Sequence, residues 1–248
     1  MTILAIDTTG ACSSVALNID GRIVQIINES EFSHLQRLIP TVETLLKQEG
    51  VEPSSLDAIA VSRGPGSFTG IRIGMATAKG LAQIWDKPII EVPTLASFAF
   101  RKYSFEIPEN AALCGVFDAK RHQIYGGAYH PFSDEAIIPD GAYDLDDYLR
   151  LLSSAHEKFS KAVFFGDGTK VYEEGLRACG FDFEFAPEEN LMQSAEGVAV
   201  LGAKLLKEAK TKDCFTAQPE YLRAAEAERK LAEKIKADSV KFGTTENK

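Results

Sequence analysis

The chain has 248 residues, a formal net charge of −9 at pH 7, and 45% hydrophobic and 25% charged residues. This balance suits a soluble globular protein of one large or two small domains, and the acidic charge argues against unaided binding of nucleic acid. Cys12, Cys114, Cys179 and Cys214 form no Cys-x-x-Cys pair, Met1 to Ile6 lacks a basic leader, and no apolar run reaches membrane-spanning length, so a cytoplasmic protein without a zinc site, disulfide framework or membrane anchor is expected.

Taken in order, Thr2 to Ile6 reads as an apolar strand ending at Asp7-Thr8-Thr9-Gly10. Ser14 to Ile19 alternates, Asp20-Gly21 signals a two-residue hairpin, and Ile23 to Ile27 returns as a third strand. From Ser33 to Glu49 the residues Leu35, Leu38, Ile39, Val42, Leu45 and Leu46 follow a helical period, with Gly50 at the favoured position just past its end. Pro53 to Leu56 connects to a fourth strand, Ala58 to Val61.

The next stretch, Ser62-Arg63-Gly64-Pro65-Gly66-Ser67-Phe68-Thr69-Gly70, is a glycine-rich junction opening a helix that extends to Trp85. Gly64 and Gly66 tolerate positive φ, and Ser67 or Thr69 can cap the helix, so the junction has the chemistry of an anion-holding turn. A fifth strand follows at Pro88 to Val92, and a short helix after Thr94.

The pattern breaks at Glu106 to Asn110, which divides the chain into an N-terminal domain over 1–106 and a second domain over 107–223. In the second domain, Ala112 to Phe117 and Gln123 to Tyr129 read as a hairpin turning at Asp118 to Arg121. A helix over Leu145 to Leu152, a strand over Ala162 to Phe165, the turn Gly166-Asp167-Gly168, a helical run, a strand over Phe181 to Phe185 and a helix over Ser194 to Lys210 complete it. The order loosely repeats the first half and predicts two mixed sheets flanked by helices. Residues 224–248 form a charged tail, helical as far as Asp238 and disordered from Phe242.

Two clusters have site-like chemistry. Asp7, Thr8 and Thr9 with Gly64 and Gly66, and the matching turn Gly166, Asp167 and Gly168, are phosphate-loop candidates. The competing reading is that Asp7 caps its own turn and Gly-Asp-Gly is an ordinary turn. Separately, Gly70, Gly74, Ala78 and Ala82 form a small-residue stripe at four-residue spacing, which permits close packing either on this chain's own sheet or on another protein. His34 has Leu38 at i+4, so the first helix lacks a histidine pair for metal.

Ala5-Ile6-Asp7-Thr8-Thr9, Ser33-His34, the run Ser62 to Gly74, Ala78-Lys79-Gly80-Leu81 and Pro219-x-Tyr221-Leu222-Arg223 resemble the bacterial TsaB family, also called YeaZ. The resemblance implies an α/β protein of the ASKHA (actin-like ATPase) fold with two RNase H-like subdomains. It implies a non-catalytic subunit of the machinery that makes N6-threonylcarbamoyladenosine at position 37 of tRNAs reading ANN codons. In that machinery TsaD transfers the threonylcarbamoyl group from threonylcarbamoyl-adenylate, and the ATPase TsaE joins the pair. Contact with tRNA would come only through the complex, and the isolated subunit would self-associate as a homodimer.

By the same resemblance the partner interface falls on the first two helices, and helical periodicity places it at Leu35, Leu38, Ile39, Val42, Gly70, Ile73, Gly74, Thr77 and Ala78. No catalytic residue, metal or cofactor of its own is expected, with ATP or ADP at a subunit interface as an option. The alternatives are an ATP-hydrolysing enzyme in its own right, using Asp7 and the two glycine turns, or an M22-type peptidase, which Leu38 disfavours.

Overall fold

A computed structural model of the chain describes residues 1–28 and 34–223. The tail over 224–248 and the start of the first predicted helix at Ser33 lie outside the described residues.

Three strands open the chain: β1 (Thr2–Asp7), β2 (Ser13–Ile19) and β3 (Arg22–Asn28). Asp20 and Gly21 both have positive φ, 50° and 92°, as a tight hairpin turn requires. The helix α1 (His34–Glu49) leads to β4 (Ala58–Gly64), then α2 (Phe68–Trp85), β5 (Ile89–Pro93) and the short α3 (Thr94–Ser97). The sheet order is β3-β2-β1-β4-β5, antiparallel across the meander and parallel from β1 through β4 to β5.

The second half consists of β6 (Ala111–Asp118), β7 (Gln123–Tyr129), β8 (Ala136–Asp144), α4 (Leu145–Ser154) and β9 (Lys161–Phe165). After them come α5 (Gly168–Val171), α6 (Glu173–Arg177), β10 (Phe183–Phe185), α7 (Glu188–Leu191) and α8 (Ala195–Lys207). Its sheet, β8-β7-β6-β9-β10, has the same order and the same strand directions as the first. The loose repeat in the sequence is therefore a topological duplication. The strand β8 escaped the sequence reading because Pro139, Asp140 and Gly141 interrupt its alternation; as an edge strand it tolerates them. The single helical run expected after Gly168 is two short helices instead.

Among the described residues, apolar cores form three successive layers. One joins α1 and α2 to the outer face of the first sheet, through Leu38, Val42, Leu45, Ile59, Met75 and Ala78. A central core fills the space between the sheets, from Ile3, Ala60 and Val92 to Leu113, Val163 and Phe165. The third lies outside the second sheet, around Tyr148, Leu152 and Phe164.

The central core crosses the division drawn from sequence at residue 106. The helix α8, from the second half, packs on all five strands of the first sheet. Gly202 marks the approach: a Cβ there would stand 2.8 Å from that of Ala60. In return α3 packs against β7. Exchanged helices bury apolar faces that each half alone would expose to water.

Candidate functional site

Parallel pairing decides where the turns meet. Ile6 is opposite Val61, so the turns leaving β1 and β4 emerge side by side; Gly115 opposite Phe165 does the same for β6 and β9. The four turns converge on a cleft of about 680 Å³ between the halves, at the carboxyl ends of the parallel strands. Sequence candidates from both halves thus reach one place: Thr8, Thr9, Gly66 and Asp167 line it.

The remaining phosphate-loop candidates have other work. Asp7 is buried and accepts hydrogen bonds from the Thr9 N–H (2.9 Å), the Thr9 hydroxyl (2.7 Å) and the Ser62 hydroxyl (2.7 Å). Burial raises its pKa from the usual carboxylate value, against the pull of those bonds. It caps its own turn, as the competing reading held. Gly64, at φ 120°, lies under the backbone of Glu220, where a Cβ would come within 2.5 Å of the carbonyl oxygen. Gly166 and Gly168 sit against the Val116 backbone. These four residues support the cleft without lining it, a correction to their expected place in it.

Several donors at the cleft are directed to the protein itself. The Thr8 hydroxyl donates to the Gly70 carbonyl (2.6 Å), the Ser67 N–H donates to the Thr9 carbonyl (2.6 Å), and the Gly70 N–H to the Ser67 hydroxyl (3.3 Å). Lys120 Nζ donates to Asp118 (2.6 Å). Burial raises the pKa of Asp118, but bonds from Lys120 and the Tyr172 hydroxyl prevail and hold it below the ordinary value. Asp167 accepts from the Asp118 N–H (3.0 Å), and burial holds its pKa up.

The small-residue stripe of α2 faces this chain's own turn. A Cβ on Gly70 would overlap the Thr8 carbonyl oxygen, and one on Gly74 the Thr8 hydroxyl. Leu38 is 1% exposed, and Val42 and Ala78 are likewise buried in the outer core of the first sheet. These five predicted interface residues are thus enclosed by their own sheet, because the apolar period marks the inward face of each helix. Ile39, Ile73 and Thr77 reach the surface, and the side chain of Leu35 lies outside what is described. Continuing from Ile73 and Thr77 at helical spacing, Gly80 and Ile84 complete an outward line, with Ile84 77% exposed. Sequence reading missed Ile84, whose exposure no periodicity could distinguish from burial.

The Pro219 to Arg223 motif forms a strap over the junction. Glu220 N–H donates to the Arg63 carbonyl (2.8 Å), and its carboxylate pairs with the Arg63 guanidinium (2.8 Å). Arg72 lies over the Phe68 ring at 3.8 Å and donates to the Tyr221 hydroxyl at 2.9 Å. Arg223 reaches the second half, donating to the Ala119 carbonyl (2.7 Å). Residues of the cleft wall that the sequence did not mark are Ala11, Phe117, Tyr125, Met192 and Gln193. Asp118 and Lys120 were visible only as turn residues.

Two duplicated RNase H-like halves facing one another across a cleft define the ASKHA, or actin-like ATPase, class of fold. Comparison with known proteins narrows the class. A family profile described as "TsaD: tRNA N6-adenosine threonylcarbamoyltransferase" matches residues 28–231. The "tRNA threonylcarbamoyladenosine biosynthesis protein TsaB" of Bacillus subtilis (strain 168) is 36% identical over 243 residues, 95% of this chain and 100% of that protein. Its namesake in Escherichia coli (strain K12) is 31% identical over 93% of this chain and 98% of its own length. The solved structure "YeaZ from Pseudomonas aeruginosa" superposes with a TM-score of 0.69 at 27% identity, covering 89% of this chain and all of that one. The chain belongs to the TsaB (YeaZ) family.

Proposed function

We propose that this chain is the non-catalytic subunit that pairs with a TsaD-type enzyme in making N6-threonylcarbamoyladenosine in tRNA. It presents the outer face of α2 to that partner, with the ATPase TsaE joining the pair in the cytoplasm. Support comes from the names of its full-length relatives and from the two-sided character of α2. The observation that carries the reading is the outward line Ile73, Thr77, Gly80 and Ile84, beside Ile39 of α1. An exposed apolar side chain flanked by small residues is the surface a second helix packs on. The same face would mediate homodimers when the partner is missing. No catalytic group, metal or nucleotide of this chain is part of the reading, and tRNA is held by the complex.

The test is co-elution with the cognate TsaD-type enzyme in size-exclusion chromatography. Ile84→Arg is expected to abolish the complex while leaving the circular dichroism spectrum unchanged. Undiminished co-elution of that variant would overturn the assignment of the face.

A further inference from the structure

At the tip of the β6–β7 hairpin, Lys120, Arg121 and His122 follow one another with φ of 63°, 58° and 62°. Left-handed backbone is costly for residues with a side chain, and glycine would adopt it without strain. Three successive positions here keep basic or imidazole side chains instead, and that of Lys120 is 81% exposed. The base of the hairpin holds the tip in this shape. Asp118 accepts from the Lys120 N–H (2.8 Å) and the Tyr172 hydroxyl (3.1 Å). The Gln123 N–H donates to the Lys120 carbonyl (3.2 Å), and the Ala119 N–H to the Gln123 carbonyl (2.9 Å). Strain maintained by its surroundings at an exposed tip points to work done by the side chains displayed there.

The tip is continuous with the strap. Ala119 accepts from Arg223, and two residues back Tyr221 accepts from Arg72, which lies over the ring of Phe68. Phe68, Ala119 and Lys120 all line the cleft, so these contacts run as a band along its mouth from the first half to the second. Among the described residues the band has five cations, Arg63, Arg72, Lys120, Arg121 and Arg223. Its three carboxylates are already engaged: Glu220 with Arg63, Asp118 with Lys120, and Asp167 with the Asp118 N–H. This local positive excess stands against a net charge of −9 for the whole chain. Phe68 and Tyr221, 37% and 41% exposed, place aromatic rings among the cations. Basic side chains along a band with rings between them suit the phosphates and unstacked bases of RNA.

We propose that this band contacts the tRNA backbone when the chain is paired with the TsaD-type enzyme, with the Lys120–His122 tip and Arg223 meeting phosphates. The inference rests on the pairing reading. The acidic charge of the chain opposes RNA binding in isolation, so the complex is the form to test.

The experiment measures the Kd of unmodified cognate tRNA for the chain–enzyme complex by fluorescence anisotropy, between about 50 and 200 mM salt. Lys120→Gly combined with Arg121→Gly removes two side chains from the tip and suits its φ values; Arg223→Gln is the second variant. The double variant is expected to weaken binding about tenfold and to lower the slope of log K against log salt by about two. Arg223→Gln should lower that slope by about one, and Lys158→Gln, at an exposed lysine outside the band, should change neither quantity. Co-elution separates the two readings. A wild-type pair that does not form overturns both, whereas a double-variant pair that forms and binds tRNA with wild-type affinity and slope overturns this one alone. Loss of TsaE from the assembly with tRNA binding unchanged would assign the band to a protein partner and likewise overturn the proposal.

Discussion

Replacing Gly70 by alanine separates an inward-packed helix from a partner-facing one. The Cβ would overlap the Thr8 carbonyl oxygen and lie 3.0 Å from the carbonyl carbon. Backbone cannot swing aside as a side-chain tip can, so α2 must lift off the β1 turn. Such overpacking costs about 2 kcal/mol. Lifting also strains the buried bond from the Thr8 hydroxyl to the Gly70 carbonyl, whose loss costs about 2 kcal/mol more. Better helix propensity returns up to about 1 kcal/mol, leaving a net destabilisation of about 3 kcal/mol. At Gly80, ten residues on, a Cβ would meet nothing within 4 Å, so Gly80→Ala should gain about 1 kcal/mol. Urea unfolding followed by circular dichroism reads both. With a slope near 3 kcal/mol/M, the midpoint should fall by about 1 M for Gly70→Ala and rise by about 0.3 M for Gly80→Ala. A Gly70→Ala midpoint at or above the wild type would refute the packing argument.

Other perturbations test neighbouring parts of the account. Leu38→Ala should destabilise by about 3 kcal/mol in the same urea assay, as a core truncation does, rather than act as a surface change. Asp7→Ala removes the acceptor for three buried donors and should cost about 3 kcal/mol, whereas Asp7→Asn, which keeps one carbonyl oxygen, should cost less; equal effects would contradict the capping role. Asp140 is held up at about 6 by burial while accepting from the Tyr129 hydroxyl, so the folded state binds the extra proton. Its contribution is therefore complete below the unfolded-state value near 4 and lost as pH rises through about 6. Asp140→Asn should flatten that part of the stability profile, by at most about 3 kcal/mol, and carboxyl NMR titration should place the midpoint near 6 rather than 4.

Much of the fold was legible because its elements announce themselves locally. The Asp20-Gly21 turn, the helical period from Leu38 to Leu46 and the Ser67 cap are each set by neighbours in sequence. The place of α8 was not legible, since its apolar face reads the same whichever sheet it covers. For the site, Thr8, Thr9, Gly66 and Asp167 were found by turn chemistry, but the direction of each hydroxyl was beyond it. Asp7 had two readings, cleft carboxylate or turn cap; the bonds from Thr9 and from Ser62, 55 residues away, make it the cap. The α2 stripe had two readings because small residues mark close approach without saying to what; Thr8 supplies the answer for Gly70 and Gly74. Gln193 carried no signal at all, for only packing brings it to the cleft wall.

The most direct measurement of the central claim is reconstituted tRNA modification. The cognate TsaD-type enzyme, TsaE, threonylcarbamoyl-adenylate and an ANN-reading tRNA would be incubated with the wild-type chain, with Ile84→Arg, or without either, and the modified nucleoside quantified by mass spectrometry. The account predicts multiple-turnover modification with the wild-type chain and loss of it both without the chain and with Ile84→Arg. Full modification in the absence of the chain would contradict it.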